Sequence, residues 1–196
     1  PKYAQEGENG EEKSVFLELK LIADIGLVGL PNAGKSTLLS RLSKANPKIG
    51  DYPFTTLYPN LGVVYPGNYD SYIVADIPGL IEGAHKGVGL GIRFLKHIER
   101  TKGLLFMIDL FEENPYHQFE LLMKELESYH PDIIKKPYYI ALNKIDLFTS
   151  EDREKKINDF RSNYKGENQL LLISAATGEG IEELKKKLLH LVNTEN

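Results

Sequence analysis

No cysteine occurs among the 196 residues, which excludes disulfides, thiolate metal ligands and cysteine nucleophiles. Also missing are an apolar run long enough to span a bilayer and a charged-then-apolar leader, so the expectation is a soluble, cytoplasmic chain with no membrane contact. Nor is there an excess of positive charge: 24 Lys+Arg stand against 28 Asp+Glu, a net charge of -4. A surface of that sign exerts no overall pull on nucleic acid or anionic lipid, and the sequence carries no direct nucleic-acid signal. What is present is ordinary: 41% hydrophobic and 27% charged residues predict a normal core, and the length suits one compact, monomeric domain.

Residues 1–14 (PKYAQEGENGEEKS) are polar and rich in Gly and Glu. They bury too little to offset the entropy of ordering, and read as a linker or the remnant of a preceding N-terminal domain; residues 15–196 read as the folded domain. Val15, Leu17, Leu19 and Leu21 alternate with Phe16, Glu18 and Lys20, a half-buried strand pattern. Apolar runs at 24–29, 61–65, 71–76, 103–109, 138–143 and 170–173 then predict six strands. Helical spacing predicts helices over 35–45, from about 90 to 100, and over 115–129, 151–163 and 179–192. That alternation implies an α/β fold: a mostly parallel six-stranded sheet with helices on both faces. Ligands of such sheets bind beyond the carboxyl ends of the strands, here at Gly29, Asp76, Asp109, Asn143 and Ser174. All but Asp109 carry a motif.

Gly29-Leu30-Pro31-Asn32-Ala33-Gly34-Lys35-Ser36-Thr37 follows a strand and opens a helix, the context a phosphate-binding loop requires. Its glycines let the backbone curl so that successive N–H groups meet phosphate oxygens at the helix N-terminus. Lys35 is placed to reach the β- and γ-phosphates and Ser36 to hold Mg²⁺. Forty residues beyond Ser36, Asp76-Ile77-Pro78-Gly79 ends a strand. The Asp76 carboxylate suits a metal-bound water, and the Gly79 N–H can face a γ-phosphate. Gly83, Gly87, Gly89 and Gly91 follow, a composition suited to a segment that orders around that phosphate. Upstream, Phe54-Thr55-Thr56-Leu57-Tyr58 offers a hydroxyl to complete the Mg²⁺ shell, from either Thr55 or Thr56.

Asn143-Lys144-Ile145-Asp146 closes a further strand. The Asp146 carboxylate can accept from guanine N1–H and the 2-amino group. Adenine lacks that donor pair and would leave a charged acceptor unpaired, which argues against an ATPase. Asn143 can bond the base or brace the phosphate loop, and the Lys144 stem can lie against the ring. Ser174-Ala175-Ala176 follows the last strand, where the Ala175 N–H would meet the guanine carbonyl oxygen.

The ordered set GLPNAGKST, DYPFTTLYPNLG, DIPGLIEGAHKGVGLG, NKID and SAA resembles the Obg family of translation-factor-class GTPases. PKYAQEGENGEE and FLELKLIADIGLVG resemble the junction after the glycine-rich N-terminal domain of that family, so the likeness covers nearly the whole chain. The resemblance implies a P-loop NTPase (Ras-like) fold and an Obg-type GTPase domain over 15–196. It implies that Thr56 joins Ser36 and Asp76 as a magnesium ligand, with Lys35, Asn32, Thr56 and Gly79 at the reacting phosphates. It further implies a cytoplasmic protein that associates with the large ribosomal subunit during its maturation.

One position departs from the commoner scheme, in which a glutamine after the Asp-x-x-Gly glycine orients the attacking water. Leu80 and Ile81 stand there and cannot hydrogen-bond water, so slow intrinsic hydrolysis of GTP is expected. Neither Arg41, in the first helix, nor Arg93, after the glycine stretch, is placed as an arginine finger. Asn32 has two readings: a carbonyl that helps bind K⁺ where a finger would reach, as in related GTPases with Asn in this slot, or a residue that only stabilises the turn. His85 lies in the glycine stretch, but phosphoryl transfer needs positioning and charge more than proton abstraction. Two outputs fit these motifs: a GTP-hydrolysing switch in large-subunit assembly, or a nucleotide-gated binding or stress-sensing module that hydrolysis merely resets.

Overall fold

The computed structural model describes residues 3, 7, 10–15, 23–43, 48–49, 60–67, 70–76, 98, 101–166 and 170–194. The strands are β1 (Ile25–Val28), β2 (Lys48–Ile49), β3 (Asn60–Val64), β4 (Tyr72–Asp76), β5 (Gly103–Asp109), β6 (Tyr138–Asn143) and β7 (Leu170–Leu172). Helices are α1 (Lys35–Leu42), α2 (Pro115–Tyr129), α3 (Ser150–Asn163) and α4 (Ile181–Asn193). One sheet runs in the order β2-β3-β4-β1-β5-β6-β7. Pairings from β4 through β1, β5 and β6 to β7 are parallel, while β2–β3 and β3–β4 are antiparallel. The six expected strands are all there, and the two-residue β2 adds a seventh at the edge beside β3. Two residues give no alternation to read, so no periodicity announced it.

The long central strand shows why helices cover both faces. All of β5 is buried, and its side chains alternate between two cores. Leu104, Phe106 and Ile108 pack with Phe119, Leu122 and Leu126 of α2 and with Ile157 and Phe160 of α3. Leu105 and Met107 face the other way, towards Leu38, Leu39 and Leu42 of α1 and Leu184, Leu188 and Leu191 of α4. Phe106 anchors the first core, its ring edge-on to Phe119 at 5.3 Å and to Tyr138 at 5.2 Å. In the second, buried Tyr72 of β4 donates from its hydroxyl to the Lys185 carbonyl of α4 at 3.1 Å. Burial, and then the nearby Glu182, push that phenol's pKa up.

Local chemistry sets the helix ends. Asn114 caps α2 by accepting from the His117 N–H, with Pro115 in the first turn, and Thr149 caps α3 by accepting from the Asp152 N–H. The helix expected over 35–45 stops at Leu42, because Ser43 turns extended and bridges Val64. That expected from 179 starts at Ile181, after Gly180 in the left-handed conformation. Val15 is exposed and in no strand; the rest of the alternating segment around it, and all but Ile98 of the helix expected from about 90 to 100, lie outside the described residues. Ile98 is helical and fully buried in the α2–α3 core.

The register aligns the carboxyl ends. Leu27 pairs with Asp76, Asp109 with Asn143 and Leu142 with Leu172, so the loops after β1, β4, β5, β6 and β7 leave from one edge. The chain passes from β1 to one side of the sheet and returns across it to β5, which makes the β1 end a crevice of the kind where open sheets bind ligands. Phe106→Ala should cost about 3–5 kcal/mol of unfolding free energy by urea denaturation, because it empties a ring site between two helices and β6.

Candidate functional site

The loop after β1 is shaped by two glycines. A Cβ on Gly29 would sit 2.7 Å from the Met107 carbonyl oxygen of β5, so only glycine lets the loop leave β1 this close to its neighbour. Gly34 has φ +96°, and a Cβ there would lie 2.4 Å from the side-chain nitrogen of Asn143. Between them, the Ala33 N–H donates to the Leu30 carbonyl at 3.2 Å, and Asn32 takes φ 62° with its side chain exposed. Pro31 is exposed and Ala33 buried. Lys35 opens α1 and turns back into the loop, its Nζ donating to the carbonyls of Gly29 at 2.9 Å and Leu30 at 3.1 Å. Its ammonium thus stands among the loop's own backbone.

One residue further, the Ser36 hydroxyl donates to Oδ2 of Asp76 at 2.7 Å. Thr37 is exposed beside it. Asp76 ends β4 almost fully buried, and its Oδ1 has no hydrogen-bond partner among the described residues. An orphaned buried carboxylate oxygen is costly, and a hydrated divalent cation held by Ser36 and Asp76 would satisfy it. The residues present therefore fit magnesium. Among the described residues no cluster of three or more His, Asp or Glu forms a metal cage, and Ser36 and Asp76 would hold such an ion together with oxygen ligands from outside these residues.

The two segments expected to read a base meet this loop through one side chain. Asn143, buried at the end of β6, donates from Nδ2 to the Ala33 carbonyl at 2.7 Å and accepts at Oδ1 from the Ala175 N–H at 2.9 Å. Of its two expected roles, bracing the phosphate loop is the one the geometry displays. The Ala175 N–H, expected to meet a guanine carbonyl, is engaged by Asn143 instead. Ser174 is fully buried, and its hydroxyl accepts from the Thr177 N–H at 3.0 Å, closing the turn into α4. Ala176 is exposed.

Lys144 takes φ 69° and leads into a 3₁₀ turn, Ile145–Leu147, in which Ile145 is buried and Asp146 exposed. The Lys144 ammonium pairs with Asp109 at the end of β5, whose other oxygen accepts from the Phe111 N–H at 3.0 Å. The strand end without a motif thus positions the lysine of the next strand's motif; adjacency of β5 and β6 was the signal for it. A second contact has no counterpart in the sequence reading. Arg41, exposed on α1, donates from Nε to the Ala175 carbonyl at 3.1 Å and from Nη2 to that of Ala176.

Phe54, Thr55, Thr56, Leu57, Tyr58, Ile77, Pro78 and Gly79 lie outside the described residues, as do Leu80 and His85. His117, His130 and His190 are at the surface. The geometry around Asn143 makes a sharp prediction. Asn143→Asp keeps the size but sets a carboxylate against the Ala33 carbonyl, and should lower the stability of the nucleotide-free protein by about 2 kcal/mol or more in thermal unfolding.

Residues 24–144 match the family described as 50S ribosome-binding GTPase. The chain is 54% identical to GTPase Obg of Thermodesulfovibrio yellowstonii over 98% of its own length and 56% of that relative. Against GTPase Obg of Aquifex aeolicus it is 53% identical, over 96% of the chain and 55% of the relative. The chain therefore spans about half the length of the curated relatives it matches. Among solved structures it is similar to a variant of Aquifex aeolicus Era bound to GDP.AlF4-, with TM-score 0.65 at 27% identity over 88% of this chain and 57% of that one. A GDP-bound variant of S. thermophilus NFeoB shares the fold, with TM-score 0.63 at 24% identity over 87% of this chain and 63% of that one. The fold is that of the P-loop GTPases, and no helix among the described residues is long and apolar enough to cross a membrane. Because the match over residues 24–144 runs from β1 through β6, the chain belongs to the family of 50S ribosome-binding GTPases, and its sequence stands with the Obg proteins.

Proposed function

We propose that residues 15–196 form the GTPase domain of a longer protein, which binds GTP with Mg²⁺, hydrolyses it slowly to GDP and phosphate, and acts as a switch in assembly of the large ribosomal subunit. Residues 1–14 join it to a preceding domain. The observation that carries the nucleotide reading is the Ser36–Asp76 hydrogen bond, with the second Asp76 oxygen buried and unpartnered, directly beside the Gly29–Thr37 loop. The match to the family described as 50S ribosome-binding GTPase supports the ribosomal part, which in this reading takes place in the cytoplasm.

In this reading the backbone of Gly29–Thr37 cradles the phosphates, Lys35 leaves its carbonyl partners for the β- and γ-phosphates, and Ser36, Asp76 and Thr56 hold the metal. When bound, magnesium neutralises charge on the phosphate oxygens. The Gly79 N–H faces the γ-phosphate, and the Phe54–Tyr58 and Asp76–Gly79 segments respond to it. Asp146 accepts from the guanine N1–H and 2-amino group, its exposed carboxylate being free to meet a base, while Asn143 holds the base loop in register with the phosphate loop. With the Ala175 N–H engaged, the amide of Ala176 takes the guanine carbonyl. Hydrolysis is slow because Leu80 offers the water no hydrogen bond. Asn32 places its side-chain carbonyl for K⁺, its left-handed backbone exposing the side chain on the outer turn of the loop.

Two measurements test this. Asp146→Asn replaces the double acceptor and should weaken GTP binding by about a hundredfold or more while ATP binding stays weak; unchanged GTP affinity would remove Asp146 from base recognition. Turnover measured in K⁺ or Na⁺, with and without large ribosomal subunits, should be faster in K⁺ and faster again with subunits. Equal rates in the two salts sink the potassium role, and indifference to subunits sinks the ribosomal one.

A further inference from the structure

We propose that Arg41 is a positioning residue for base recognition: from α1 it fixes the Ala175–Ala176 backbone and so prolongs the residence of guanine nucleotides. The inference rests on the guanine-binding reading above. Arg41 projects from the helix whose first turn carries Lys35 and Ser36, and its guanidinium reaches two consecutive carbonyls of the loop after β7. Gly178, with φ +96°, lies against it: a Cβ there would touch Arg41 Nη1 at 3.5 Å, an ordinary contact.

Two planar trans peptide units follow from those contacts. In each, the C=O and the next N–H point in opposite directions. Holding the Ala175 carbonyl towards α1 therefore aims the Ala176 N–H away from α1. Holding the Ala176 carbonyl aims the Thr177 N–H to the far side, where it meets the Ser174 hydroxyl at 3.0 Å. Asn143 fixes the preceding amide of Ala175. Arg41 and Asn143 thus set three successive amides, and the one presented for a ligand's carbonyl is that of Ala176. The planar fork of arginine suits two adjacent acceptors; the single ammonium of lysine does not.

The test compares release of GDP with release of the diphosphate of 2-aminopurine riboside, which keeps the 2-amino group and lacks both the carbonyl oxygen and the N1–H, so the effect of Arg41 is read as a change within each nucleotide. Release is followed by displacement with excess unlabelled nucleotide, for the unsubstituted chain, Arg41→Ala and Arg41→Lys. Arg41→Ala should release GDP about tenfold faster and the carbonyl-free analogue at a rate changed by less than about twofold, with Arg41→Lys in between. The unfolding midpoint of the nucleotide-free protein should not move, because Arg41 is exposed. Equal acceleration for both nucleotides, or no acceleration, overturns the proposal, and so does a fall in the midpoint that accompanies equal acceleration. If the unsubstituted chain holds the analogue as long as GDP, the guanine reading fails instead, whatever Arg41 does.

Discussion

The side-chain amide of Asn143 is the interaction on which the arrangement of the crevice depends. It lies buried between two loops from distant parts of the sequence, donating to Ala33 in one and accepting from Ala175 in the other. A primary amide suits this place because it offers a donor and an acceptor on opposite sides of one short, rigid group. A carboxylate would face the Ala33 carbonyl with a second acceptor, and an aliphatic side chain would leave both backbone groups unpaired. The constraint runs both ways. Gly34 has to be glycine partly because the Asn143 nitrogen occupies the space a Cβ would take.

That bridge works only because the sheet delivers its ends in register. β5 and β6 pair residue for residue up to Asp109 and Asn143, and β6 pairs with β7 up to Leu142 and Leu172. The same alignment puts Asp109 beside Lys144, which holds a non-glycine residue in left-handed backbone by anchoring its ammonium to a buried carboxylate. An ion pair so shielded resists screening better than a surface one, but its main consequence is geometric: it fixes where the 3₁₀ turn carrying Asp146 begins. Two cores back this edge, one under α2 and α3 and one under α1 and α4, so the loop ends rest on a sheet packed from both sides.

Most of this was legible because its causes are local. The apolar runs of β1 and β4 to β6 end in glycine or polar residues, and the apolar spacing of α2 covers the observed helix end to end. The loop glycines also announced themselves, since each is needed by a backbone path that the motif already describes. What the sequence did not disclose depends on neighbours brought together by topology. Asp109 looked like a strand end without a purpose until β6 placed Lys144 against it. The Ala175 amide was assigned to a ligand because nothing in the order of residues shows Asn143 reaching it. Arg41 looked like an ordinary surface helix position, and helical spacing says nothing about a loop more than a hundred residues away.

Helix α1 joins these observations. Its first turn places Ser36 against Asp76, and its last turn carries Arg41 to the carbonyls of the loop after β7. The two residues stand about 7.5 Å apart along the axis, from a rise of about 1.5 Å per residue. A single short helix is rigid over that length, and its buried face, Leu38, Leu39 and Leu42, is locked into the core beneath. A ligand that pulls on the Gly29–Thr37 loop therefore bears on the loop after β7 through α1 as well as through Asn143. Two independent rigid links between the same pair of loops leave little freedom for either to move alone. In this geometry the loop after β1 and the loop after β7 are held as one unit.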